Sequence, residues 1–415
     1  MSVKQIFNTS AELDYPKVLP TLDLDFANSK TLDPRITFTR ASGGSYVGAD
    51  GLIKYAGVNE PRFDHDPVTG ESLGFLVEES RSNIRTTSIL FDSGVSVALY
   101  GNWNYATTPS NTAAIAPDGT LTANRFRPVS PTGTLMQRFS ATAGLTYTIS
   151  MYLKLDPESP SNNLIQYFGF QVAWSNNGST LTSYASSPSI GDQLTNEWKR
   201  FSFSYTLPAG ATSMEMGPSN RDNGGGDPNY SVLAWGWQIE QGAFPTSYIP
   251  TEGSSRTRAD DDAQITGKNF SSWYNQSEGT LLWKGIFDSY NSSGSNDALF
   301  AITDGTTNNR FSIRPRNTLA TSSGNTLFQS FDWGYTVQSN TYMNGALAIK
   351  SGDYALVTSG VVRNTSSSSS VPQVNRIENF NSIEGGYTVT GVIHHQRITY
   401  YPKRLTNQQL QALTT

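Results

Sequence analysis

The sequence predicts an all-β chain, built as tandem jelly-roll or β-sandwich domains with a short C-terminal helix. Three observations predict it. First, only 15% of the 415 residues are charged while 12% are aromatic, and Gly numbers 36. Few charges, many rings and many turn formers suit sheets better than helices. Second, apolar residues alternate strictly. Leu145, Tyr147, Ile149, Met151, Leu153 and Leu155 fall on one face, with Thr146, Thr148, Ser150 and Lys154 opposite. Third, turn signals separate such runs, as Asp50-Gly51 does between Ser45–Val47 and Leu52–Tyr55.

A chain of this length exceeds one hydrophobic core, so several domains are expected. Residues 1–20 read as an N-terminal arm ending in Tyr15-Pro-Lys-Val-Leu-Pro20. Residues 21–85 read as an N-terminal β unit packing on the middle module: Leu22, Leu24 and Phe26 alternate with Asp23 and Asp25. Residues 86–255 read as a jelly roll. Phe201, Phe203, Tyr205 and Leu207 form one of its strands, and Leu233, Trp235, Trp237 and Ile239 another. Residues 256–415 read as a second sandwich, with a hairpin at Asp304–Asn309 and a closing strand from Val392 to Tyr401. Thr406 and Gln409 have capping-box spacing, and Leu405 and Leu410 are placed as a hydrophobic staple, so a helix of about two turns should follow.

Bulk charge narrows the function. The net charge is −5, with Arg scattered, so no nucleic-acid partner is expected. There is no cysteine, which removes disulfides, thiolate metal sites and cysteine nucleophiles. No apolar run reaches the ~18–20 residues that span a bilayer, so membrane insertion is not expected. Met1–Phe7 lacks an apolar leader core, so no ordinary secretion signal is expected either.

Catalytic motifs are weak. Only His65, His394 and His395 could act as bases. His394 and His395 are adjacent on a predicted strand and must face opposite ways. No nucleophile elbow, phosphate loop or zinc helix motif occurs. The reading is therefore no catalytic residues and no enzyme. A glycoside hydrolase stays open as the alternative, because paired carboxylates cannot be read from sequence. No cofactor is expected, although Asp260, Asp261 and Asp262 could supply oxygen ligands to a structural calcium. Sugar binding needs flat rings beside polar side chains. Trp103 and Tyr105, Trp174 beside Asn176, and Trp333 and Tyr335 are the candidates for it.

Three stretches carry a family resemblance. They are Pro34–Ser42 through Asn59–Asp66 to Gly74–Asn83; Ala116–Thr120 with Tyr152-Leu-Lys154; and Trp235 to Asp262. Together they resemble bacteriophage virion fibre or spike proteins that carry a head-spike-fibre carbohydrate-binding module. The tail from Gly279 is similar to laminin-G or concanavalin-like lectin domains. The resemblance implies a virion structural protein, a short fibre, spike or decoration, made in the host cytoplasm and displayed on the particle. It implies other virion proteins and host polysaccharide or lipopolysaccharide as partners, and a homotrimer. The alternative is a depolymerase acting on the same surface glycan.

Overall fold

The computed structural model describes residues 15–88, 113–128, 134–160, 165–220, 230–290, 300–314, 317–322, 326–333, 340–379 and 391–415, with short strands at 97–98 and 103–105. The described residues are all-β, forming two sandwiches and two short α-helices. The predicted hairpins form: Gly44–Val47 pairs with Ile53–Ala56, and Phe300–Thr303 with Arg310–Ile313. Gly51 supplies the positive φ of 76° that the first turn requires.

The larger sandwich uses both ends of the chain. In one sheet, Gly391–Tyr401 is flanked by Glu278–Tyr290 on one side and Ser72–Glu78 on the other, and Leu22–Asp25 pairs with it as well. In the facing sheet, Thr37–Thr39 pairs with Asp262–Thr266. One core follows from this. Leu22, Leu24, Phe26, Phe63, Phe75 and Val77 pack with Trp283, Phe300, Phe311, Met343 and Tyr400. Each fully buried side chain of this kind contributes about 1.5–3 kcal/mol. Residues 21–85 are therefore not a separate unit packed on the middle module. They complete the C-terminal sandwich, which would otherwise lack strands from both sheets. Their hairpin reaches the middle module, where Ile53 packs with Ala116, Ala123, Trp235 and Tyr248.

The middle module is two five-stranded sheets, one ordered Lys199–Thr206, Thr146–Leu155, Val232–Gln241, Asn124–Pro128, Trp103–Tyr105. Its core takes Tyr147, Ile149, Met151 and Leu153, as alternation predicts. The module is inserted into the larger sandwich. Its entry strand Arg81–Asn83 and exit strand Arg256–Arg258 pair antiparallel, side by side.

One strand departs from simple alternation. Trp235 and Trp237 should share a face, yet Trp237 and Ile239 enter the module core while Trp235 packs against Tyr248, with ring centroids 4.4 Å apart. Between them Gly236 has φ 67°, and the pairing with Thr146–Leu155 slips at this point. A side chain at 236 would also press on the rings of Tyr152 and Tyr248 at 3.3 Å. The bulge turns one tryptophan into core and the other into interface.

At the C-terminus, Thr406 caps the helix Asn407–Leu413 with the full reciprocal box to Gln409. Leu405 and Leu410 are buried with Leu282, Ala346 and Tyr401 on the outer face of the eight-stranded sheet.

Candidate functional site

The seam between the sandwiches contains two clusters of ionisable groups. The first is closed. Arg62 Nη1 donates to Glu78 Oε2 at 2.6 Å, and Arg62 Nη2 donates to Asp261. Arg40 Nη1 bonds the other Asp261 oxygen at 2.9 Å. Arg258 lies 3.4 Å from Glu78, whose second oxygen accepts from the Ser247 amide at 2.6 Å. All these side chains are buried. Burial opposes charge on Glu78, but the Arg258 and Arg62 guanidiniums overcome it and hold the carboxyl well below the usual range.

This arrangement corrects the calcium expectation. Asp261 is an ion-pair anchor with both oxygens taken by arginines, not a ligand open to a cation. Among the described residues no group of three or more His, Asp or Glu side chains converges for a metal. Asp262 continues into the strand that pairs with Thr39 and is half-buried.

The second cluster opens into a cleft of ≈520 Å³ between the sandwiches. The middle module provides Tyr152, Arg200, Ser202 and Ser204; the larger sandwich provides Asp64, Asp288, Asn340 and His394; the exit segment adds Phe244 and Tyr248. His394 reaches it because alternation on its strand sends Ile393 and His395 inward. Its Nε2 lies 2.8 Å from Asp64 and its Nδ1 2.8 Å from Asp288, and the ring is almost fully buried. Burial alone would lower its pKa. The charges of Asp288 and Asp64 outweigh that and push it up to about 10. The ring is thus an imidazolium held between two carboxylates, an anchor for both rather than a base. Asp64 also accepts from the Val47 amide at 2.5 Å, while Asp288 keeps 26% of its side-chain surface exposed.

His395 behaves oppositely. It accepts from the Trp283 indole at 2.9 Å inside the core, and burial, then the His394 charge, push it down to about 3. The two histidines face opposite ways, as their adjacency predicts.

Arg200 closes the polar set. Its guanidinium donates to the Thr246 carbonyl at 2.6 Å and to Ser150 Oγ at 2.9 Å, and stands 5.5 Å over the Tyr152 ring. Its buried Nε has no hydrogen-bond partner. The cleft therefore offers carboxylate acceptors, hydroxyl and guanidinium donors, and tyrosine rings within one space.

None of the described ring candidates from the sequence sits in this cleft. Trp174 is core, stacked on Tyr205 at 5.4 Å. Asn176 is exposed at the following turn, where its amide donates to Thr182. Trp333 is core too: it is 2% exposed, its indole donates to the Arg314 carbonyl at 2.6 Å, and its ring occupies the space Gly345 leaves. Trp103 and Tyr105 lie on the strand paired with Asn124–Pro128, and their side chains fall outside the described residues, as does Tyr335. Asp64, Asp288, Arg200 and Asn340 had no local signal, since Asp64 and His394 meet across 330 positions.

No protein-family model matches the sequence, and no curated protein matches it. Solved structures do match. The chain is similar to the carbohydrate-binding module CBM40 of a Ruminococcus gnavus sialidase, solved with α2,3-sialyllactose. The identity is 14%, covering 35% of this chain and 86% of that one, with a TM-score of 0.29. It is similar to domain 4 of a GH43 extracellular arabinanase from Geobacillus stearothermophilus, solved with arabinotriose. There the identity is 13%, the coverage 41% and 82%, and the TM-score 0.30. It is also similar to the Trypanosoma rangeli sialidase in complex with an inhibitor, at 11% identity and a TM-score of 0.28, over 37% of this chain and 26% of the enzyme. The expectation that the chain is not an enzyme is corrected on this comparison, because the matches include a sialidase and a domain of an arabinanase beside a binding module.

Proposed function

We propose that the chain binds a glycan in the cleft between its two sandwiches. The observation that carries this is the lining. Asp64 and Asp288 can accept from sugar hydroxyls, Arg200, Ser202, Ser204 and Asn340 can donate or accept, and the half-buried Tyr152 offers an apolar face. Saccharide recognition needs these two kinds of surface side by side. The finer reading is a virion structural protein, a short fibre, spike or decoration, that adheres to host-surface polysaccharide or lipopolysaccharide, with other virion proteins and two further copies as partners. The phrases Pro34–Ser42 and Trp235–Asp262 support it. Weak sites repeated over many copies would give avidity. A glycan array and a host-cell binding assay with the purified chain test the binding; retention by neither would overturn it. Proteomics of purified particles tests the virion assignment.

A second reading has its own observation. Asp64 and Asp288 stand across one imidazole ring from each other, both partly exposed in the cleft. Glycosidases hold two carboxyls roughly 5–10 Å apart. A polysaccharide depolymerase would release reducing ends from a bound glycan, and both Asp64→Asn and Asp288→Asn would abolish the release.

A further inference from the structure

We propose that the glycan of the cleft is an extended chain that leaves it along the open outer face of the eight-stranded sheet and stacks on Tyr342. This rests on the cleft reading above and adds the form of the ligand. Pairing registers place the residues. His394 opposes Ile286, and Ile286 opposes Tyr342, so all three lie in one row on one face. Two strand spacings put Tyr342 about 10 Å from the His394 backbone, beyond the rim of the cleft.

Tyr342 is 52% exposed near the start of its strand, before the next strand joins at Gly345. Farther along the same face, the C-terminal helix covers Leu282, Ala346 and Tyr401. At the other end, Phe244 of the exit segment covers Leu76 and Val392. Between these covers, among the described residues, Tyr342 is exposed.

The next row on that face pairs Lys284 with Asn344. Lys284 is half-buried and has no ion-pair partner among the described residues. An unpaired ammonium and an exposed ring, in adjacent rows leading out of the cleft, match the needs of further sugars on a chain. They do not match a single terminal sugar confined to the cleft.

The test is a length series. Neutral and uronic-acid oligosaccharides from di- to octasaccharide are titrated against the whole chain, its Tyr342→Ala and Tyr342→Phe variants, and Lys284→Met. We expect affinity to rise with length. Tyr342→Ala should lose roughly tenfold for the long members and nothing for the shortest, and Tyr342→Phe should restore the gain because the ring face remains. Lys284→Met should weaken the long members only. Equal affinity across lengths, or an undiminished gain in Tyr342→Ala, would overturn this proposal and leave cleft binding intact. No binding at any length would overturn the cleft reading itself.

Discussion

The two charged clusters at the seam use the same kinds of residue to opposite ends. Around Asp261 and Glu78, arginines saturate both carboxylates and no side chain is exposed. Around His394, one cation is shared by two carboxylates that both retain exposure. The first cluster locks the inserted module into the larger sandwich; the second leaves acceptor capacity facing a cleft. Exposure and surplus acceptors, rather than charge count, separate framework from candidate site.

The sharpest way to break this contrast is to remove one charged group from each cluster. Arg62→Met would leave Glu78 and Asp261 buried with one fewer partner, and uncompensated buried charge costs about 3–5 kcal/mol. Urea denaturation should show that loss. Asp288→Asn should cost less than that, because Asp288 is partly solvated and Asp64 still pairs with His394. It should weaken glycan binding, measured by calorimetry. If the two variants behaved alike, the division into framework and site would fail.

Two pH effects sharpen it further. Burial raises Glu378 to about 7 from 4.5, with Asp262 and Asp304 adding to the rise. A raised carboxyl favours its protonated form in the fold, so its contribution is full below pH 4.5 and lost as pH rises through about 7. Glu378→Gln should therefore stabilise the chain at pH 8 by about 1–3 kcal/mol and flatten the thermal-melting profile between those values. His394, raised from 6.5 to about 10, contributes stability that is full below pH 6.5 and lost as pH rises through about 10. Asp64→Asn should shrink that alkaline loss. The smallest effect belongs to the terminus, where Thr406→Ala removes a cap worth about 1 kcal/mol.

Much of the fold was legible because it is written locally. The Asp50-Gly51 turn, the alternation from Tyr147 to Leu153 and the Thr406–Gln409 box each depend on residues within one element. The insertion was not legible, because pairing Ser72–Glu78 with Gly391–Tyr401 joins strands from opposite ends of the chain. The split between Trp235 and Trp237 has a local cause, since one glycine at 236 reverses the alternation. Two of the ring candidates lie in cores. Trp174 and Trp333 lie among polar residues in sequence, but both fill cores, and hydrophobic area outweighs such neighbours. The cleft residues carry no mutual signal at all. Asp64, Arg200, Asp288 and His394 come from four separate strands of two sandwiches.

The cleft is tested most directly by titrating a glycan-array hit into the wild-type chain and into Arg200→Ala, with thermal melting of both. We expect the wild type to bind, and the variant to bind roughly tenfold more weakly at a similar melting temperature, because Arg200 lines the cleft and is absent from the buried network. Equal affinity in the two proteins, or no glycan bound by the wild type, would contradict a ligand site between the sandwiches.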